Sequence, residues 1–228
     1  MTDNKTIFEK IKQENRNALL EHEAKEILRN IGIKIPPSRL VQTETEAIQS
    51  ANEFGYPIVM KLMSTQVLHK TDVGAVVIGL NSEEEVRSTF IEFMKRFDNV
   101  RISGVLVEKM VKSGLELIIG TNIDATFGPV ILFGVGGVLV EAIKDVVFRM
   151  CPTTKEQALT AIDEIKARVL LEGFRGIPRV NKDELADIIV KLSKLAWENR
   201  DYISEMDINP IISNEDGLFP VDARIIIK

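Results

Sequence analysis

Pro57-Ile58-Val59-Met60-Lys61-Leu62-Met63, then Ser64-Thr65-Gln66-Val67-Leu68-His69-Lys70-Thr71-Asp72-Val73-Gly74, then Ala75-Val76-Val77-Ile78-Gly79-Leu80, is the stretch on which the fold turns. Two apolar runs of strand length flank a loop crowded with hydroxyls, one histidine, one lysine and one carboxylate. This predicts strand, loop, strand, and not a strand opening into a helix. Lys61 interrupts the first run, where a cation without an anion is expensive. It either projects from a half-exposed strand or meets an anion such as a phosphate, and spacing alone leaves both open. Hydroxyl and amide groups of the loop can cradle phosphate oxygens, and Gly74 allows close backbone approach. The helix-opening GxxxxGK[ST] phosphate motif does not occur. His69 is one of two histidines; His22 reads as a surface residue on the polar side of a helix. An imidazole with a pKa of about 6.5 presents a neutral, nucleophilic nitrogen near pH 7. A nearby carboxylate such as Asp72 could orient that ring through its other nitrogen, and sequence alone leaves this open, while a surface or hydrogen-bonding role is the plainer reading of a loop histidine.

Working outward, residues 1–17 read as a loose polar arm. A helix follows from Leu20 to about Ile31, closed by Gly32 and Pro36-Pro37. Thr43 with Glu46 and Ser82 with Glu85 have the form of capping boxes opening two further helices. Beyond them, strands are expected at Gly104–Met110, Leu115–Thr121, Pro129–Val135 and Val146–Cys151. A helix capped by Thr153 and Glu156 should reach about Val169, and a longer one carries Leu185, Ile188, Ile189, Leu192 and Leu195 on one face. Two strands, Glu205–Ile212 and Leu218–Asp222, close the chain as a hairpin. This order is α+β in two lobes, about 18–102 and 103–228, and not a doubly wound βαβ chain.

Three further groups carry possible chemistry. With a turn at Asn214–Gly217, Asn209 and Asp222 fall opposite each other. An amide oxygen beside a carboxylate suits Mg²⁺, although such a pair also simply closes hairpins. Glu108, bordering Lys109-Met110, and Glu116 interrupt apolar strands, where a carboxylate is usually exposed or else serves ribose hydroxyls. Phe133-Gly134-Val135-Gly136-Gly137-Val138 lacks the GxGxxG register, and such a loop often reflects only close packing.

Composition narrows the classes. Among 228 residues the net charge is −5, which argues against broad attraction to nucleic acid. No apolar run approaches the 18 to 20 or so residues of a membrane span. Cys151 is the single cysteine, which fits a reducing cytoplasm, and Met1–Lys12 resembles no targeting peptide.

Taken together in this order, Pro57–Lys61, His69–Gly74, Phe133–Gly137 and Asp207-Ile208-Asn209-Pro210 resemble the ATP-grasp domain of ADP-forming acetyl-CoA synthetases, specifically their short β subunit, over about Leu20 to Lys228. The resemblance implies an ATP-grasp fold of two α+β lobes with ATP or ADP between them. It implies that Lys61 contacts nucleotide phosphates, that Glu108, Lys109 and Met110 form the adenine hinge, and that Glu116 holds the ribose beside Gly136 and Gly137. Asn209 and Asp222 would ligate Mg²⁺, and His69 would take up the phosphoryl group. It further implies a separate α subunit bearing the CoA-binding and acyl-phosphate chemistry, in a hetero-oligomer of two α and two β chains. The alternatives are a nucleotide-sensing regulatory subunit and a part of a protein acetyltransferase.

Overall fold

The two apolar runs flanking the hydroxyl-rich loop pair with each other. β2 (Ile58–Met63) lies antiparallel to β3 (Val76–Leu80), Lys61 standing opposite Val76. With β1 (Ser38–Val41) and β4 (Gly104–Lys109) they make a four-stranded sheet of order β1-β4-β2-β3. Alternate residues Ile58, Met60 and Leu62 turn to one face. There they pack with Val105 and Val107 and with Ala47 and Ala51 of α3 (Glu44–Phe54) and Val86, Phe90 and Phe93 of α4 (Glu83–Arg96). Each Val, Leu, Ile, Met or Phe side chain among them contributes about 1.5–3 kcal/mol by leaving water.

The computed structural model describes residues 4–67, 70–137 and 145–228. It divides into two units, Pro36–Val111 with the sheet above, and Met1–Ile35 joined with Lys112–Lys228. The second unit holds an antiparallel sheet of order β10-β8-β5-β6-β7, β9 also pairing with β8. Its strands are β5 (Leu115–Asp124), β6 (Gly128–Val135), β7 (Val146–Met150), β8 (Ile203–Asn214), β9 (Gly217–Pro220) and β10 (Arg224–Ile227). Leu117, Ile119, Ile131, Phe133 and Val135 form a core with Ala158 and Ile162 of α5 (Lys155–Glu164) and with Ile188, Ile189, Leu192 and Leu195 of α7 (Lys182–Glu198). A short α6 (Arg168–Leu171) lies between those helices. Cys151 is buried next to this core, and burial pushes its thiol up to about 12.

The α+β character agrees with the sequence reading, but five local expectations are corrected. Residues 4–13 are a helix, α1 (Asn4–Gln13), not a loose arm: Ile7, Phe8 and Ile11 are buried, and Phe8 stacks on Tyr202 at 5.6 Å. The lobes are not consecutive, because residues up to Ile35 belong with the C-terminal part. Thr154, not Thr153, caps α5, its hydroxyl accepting from the Gln157 amide at 3.2 Å. That helix stops at Glu164, because the Asp145 carboxylate accepts from the amides of Lys166 (2.9 Å) and Ala167 (2.6 Å). His22, finally, is half-buried on α2 (Glu21–Asn30) and not a surface residue; its Nδ1 has no hydrogen-bond partner among the described residues, and burial lowers its pKa.

Candidate functional site

The Pro36–Val111 unit contributes a buried ion pair and an open strand edge. Residues of β2 and β4 that face away from the helices include Lys61 and Glu108. Val59 is directly opposite Glu108, so Lys61 reaches it diagonally, Nζ to Oε1 3.3 Å. Lys61 is 7% and Glu108 2% exposed. The lysine therefore does not project from a half-exposed strand: it is a buried cation beside a carboxylate.

At the end of β4 the Lys109 side chain is committed elsewhere. Its Nζ donates to the Gly55 and Tyr56 carbonyls, both at 2.8 Å, and so ties down the turn that enters β2. The backbone is what remains for recognition. The Lys109 amide donates to the Pro37 carbonyl at 2.8 Å, and the Met110 amide to the Pro57 carbonyl at 3.1 Å. Proline has no N–H to return, so Pro37 leaves the Lys109 carbonyl without its ladder bond. The next amide on that edge, by the two-residue period, is that of Val111. An acceptor and a donor two residues apart on one edge form a pattern the sequence reading did not single out, although Pro36-Pro37 was its signal.

The loop after β2 is tied at its start. The Ser64 hydroxyl donates to the Arg101 carbonyl (2.8 Å), and the Gln66 side-chain oxygen accepts from the Arg101 amide (2.7 Å). At its end the Lys70 carbonyl accepts from the Ala75 amide at 2.7 Å, a turn that needs the left-handed conformation of Gly74, φ +68°. Asp72 is exposed. His69, and with it the expected pairing of His69 with Asp72, lies outside the described residues.

The other unit brings two more groups of predicted residues together. Glu116, exposed on β5, is cradled by Gly136 and Gly137: the Gly136 amide donates to the Glu116 carbonyl at 2.6 Å. A Cβ on Gly136 would lie 3.1 Å from the Glu116 carbonyl carbon, and one on Gly137 3.0 Å from Glu116 Oε2. The glycine run is close packing with a purpose, since it sets the backbone against a carboxylate.

Asn209 and Asp222 are placed by register. Asn214 pairs with Gly217 and Ile211 with Pro220 before the gap between β9 and β10, and Asp207 pairs with Arg224 after it, all in one register. Asn209 thus stands opposite Asp222, both exposed. One Asp222 oxygen accepts from the Ala223 amide at 2.8 Å. Glu205 and Asp207 precede Asn209 on the same face. Crowding by protein raises the Asp207 pKa, Glu205 adds repulsion and Arg224 partly offsets both. Hard oxygens on a face with excess negative charge are the donor set that Mg²⁺ takes, so the residues fit that ion. Asp207 is the functional candidate that pattern reading passed over; its alternation with Asn209 was the available sign.

A protein-family profile described as an ATP-grasp domain matches residues 10–227. The chain is 47% identical over 225 residues to the β subunit of ADP-forming acetate–CoA ligase I of Pyrococcus furiosus, covering 97% of this chain and 96% of that one. Among solved structures it is similar to the dinucleotide-forming acetyl-coenzyme A synthetase 1 of Ca. Korarchaeum cryptofilum in complex with coenzyme A, Ca-AMPCP and HgCl⁺. That match has a TM-score of 0.94 and 41% identity, over 99% of this chain and 100% of the other. A second structure of that synthetase, with coenzyme A and Mg-AMPPCP and its phosphohistidine segment pointing towards the nucleotide binding site, matches at a TM-score of 0.88 and 40% identity, with 99% and 100% covered. By profile, sequence and fold alike, the chain belongs to the ATP-grasp domain family.

Proposed function

We propose that the chain is the nucleotide-binding β subunit of an ADP-forming acyl-CoA synthetase, acting in acyl-CoA + ADP + phosphate ⇌ carboxylic acid + CoA + ATP. The observation that carries this is the end-to-end correspondence with a β subunit of that enzyme, on a chain whose predicted phosphate, ribose and magnesium residues form ordered clusters within each unit. The Lys109 carbonyl and Val111 amide fit the amino group and ring nitrogen of adenine. Glu116, held by Gly136 and Gly137, accepts from ribose hydroxyls. Lys61 balances phosphate charge, with Glu108 keeping the buried ammonium solvated in the meantime. Asn209 and Asp222 would hold Mg²⁺, which when bound spreads the charge of the phosphate oxygens. In such transfers positioning and electrostatics do most of the work.

His69 is the acceptor in this reading. Its imidazole nitrogen takes a phosphoryl group from a phosphohistidine of the partner, whose nitrogen–phosphorus bond breaks. The terminal oxygen of ADP then displaces that group to give ATP. The partner is an α subunit that binds CoA and forms the acyl phosphate, two of each chain completing a cytoplasmic enzyme. Incubation with radiolabelled ATP and Mg²⁺ should give an acid-labile, base-stable phosphoprotein that disappears in His69→Ala. If the wild-type chain binds ATP yet stays unlabelled, alone and with its partner, the chain senses nucleotide and transfers nothing.

A further inference from the structure

The helix α2 directs Ala24, Ile27 and Leu28 into the core, and it also buries a lysine. Lys25 is 1% exposed, and its partner one turn back, Glu21, is 3% exposed. Lys25 Nζ lies 2.8 Å from Glu21 Oε1 and 2.8 Å from the carbonyl oxygen of Val221. Removing two charges from water is costly, and their mutual attraction seldom outdoes apolar residues of the same volume. Stability alone is therefore a poor reason for this pair. Its position gives a better one.

The Val221 carbonyl shares a rigid peptide plane with the Asp222 amide. Lys25 thus fixes the plane from which Asp222 hangs. On the other side, the Val221 amide donates to the Pro210 carbonyl at 3.0 Å, and Pro210 directly follows Asn209. The Asp222 carboxylate is bonded in turn to the next amide, that of Ala223. Val221–Ala223 is the link between β9 and β10 where the named strands leave β8 uncovered, so the ladder alone does not hold it.

We infer that the buried Glu21–Lys25 pair is a positioning device for the magnesium site, holding the Asp222 carboxylate opposite the Asn209 amide. The inference rests on reading Asn209 and Asp222 as the magnesium ligands. In this inference Glu21 and Lys25 are positioning residues and not ligands: both act through the Val221–Asp222 peptide.

The test uses the full chain with Mn²⁺ as the probe ion, free Mn²⁺ being read by electron paramagnetic resonance in the presence of ADP. In the double variant Glu21→Met/Lys25→Met, apolar volume replaces the pair, so a merely structural staple would be preserved. The expected result is a urea midpoint at or above that of the wild type, with Mn²⁺ bound about tenfold more weakly, the effect typical of groups that orient metal ligands. The Asp222 amide should also exchange its hydrogen faster in the metal-free protein. Unchanged Mn²⁺ affinity and unchanged exchange in a stable double variant would overturn the inference. Should the double fold poorly, Lys25→Arg decides, because it keeps a cation beside Glu21 while displacing the donor from Val221. Weaker Mn²⁺ binding at an unchanged urea midpoint supports positioning, and wild-type affinity overturns it. Asp222→Ala separates the two claims: if Mn²⁺ affinity survives that change, the ligand assignment itself fails, whatever Lys25 does.

Discussion

Gly137 has φ +76°, and a methyl group there would sit 3.0 Å from Glu116 Oε2. Gly137→Ala should therefore act twice. It strains the backbone by about 1 kcal/mol, and it displaces the Glu116 carboxylate, proposed above to face the ribose, which should weaken ADP binding about tenfold, the equivalent of about 1.4 kcal/mol. Titration calorimetry with ADP reads the second effect, and unchanged affinity would mean that Glu116 is no nucleotide ligand. At this scale the sequence was legible wherever a residue conflicted with its surroundings. Lys61 in an apolar run did so, and it is buried beside Glu108. Asn209 and Asp222 were legible because hairpin register follows from counting, and the register holds. Lys25 was not legible, since helical periodicity assigns a lysine to solvent and cannot see Val221 arriving from 196 positions away. Nor was it legible that the Lys109 ammonium is spent on the Gly55 and Tyr56 carbonyls, which leaves only the backbone of that residue for the hinge.

Among elements, those with local signals were read well. Thr43 and Glu46 form the reciprocal cap that opens α3, and Ser82 accepts from the Glu85 amide at the start of α4. Elements that depend on distant partners were missed. The four-residue strands β1 and β10 are too short for alternation to register; β4 and β8 define them. The helix α1 has three buried apolar residues among ten and reads as polar until its partners are seen. Phe8 is fully buried, stacks on Tyr202, and belongs to the same core as Ile225 and Ile227. Phe8→Ala should cost about 3–5 kcal/mol, read as a lower urea midpoint of the full chain. A loose arm would show no change.

For the whole molecule, two lobes were foreseen but their boundaries were not, because reading in chain order presumes that each lobe is continuous. Here residues 36–111 interrupt the other unit. The exit and return points converge: Lys34 Nζ donates to the Asp216 carbonyl at 3.0 Å, and Lys112 Nζ is 3.3 Å from the Asp216 carboxylate. Replacing residues 36–111 with a short glycine–serine linker should thus leave a protein that melts in a single cooperative transition by circular dichroism and no longer binds ADP. Loss of any cooperative transition would show that the interrupted unit needs its insert. The same interruption orders events on the ribosome. Residues 36–111 can close their own sheet as they emerge, whereas the first 35 must wait. The Leu19 amide finds its acceptor at Ile225, and Ala18 its bridge at Ile226, residues translated long after them. Until those residues emerge the apolar face of α2 has no finished core to enter, so nascent chains are open to chaperones and proteases through this early segment, and truncation ahead of Ile225 strands α2 together with the strand it waits for.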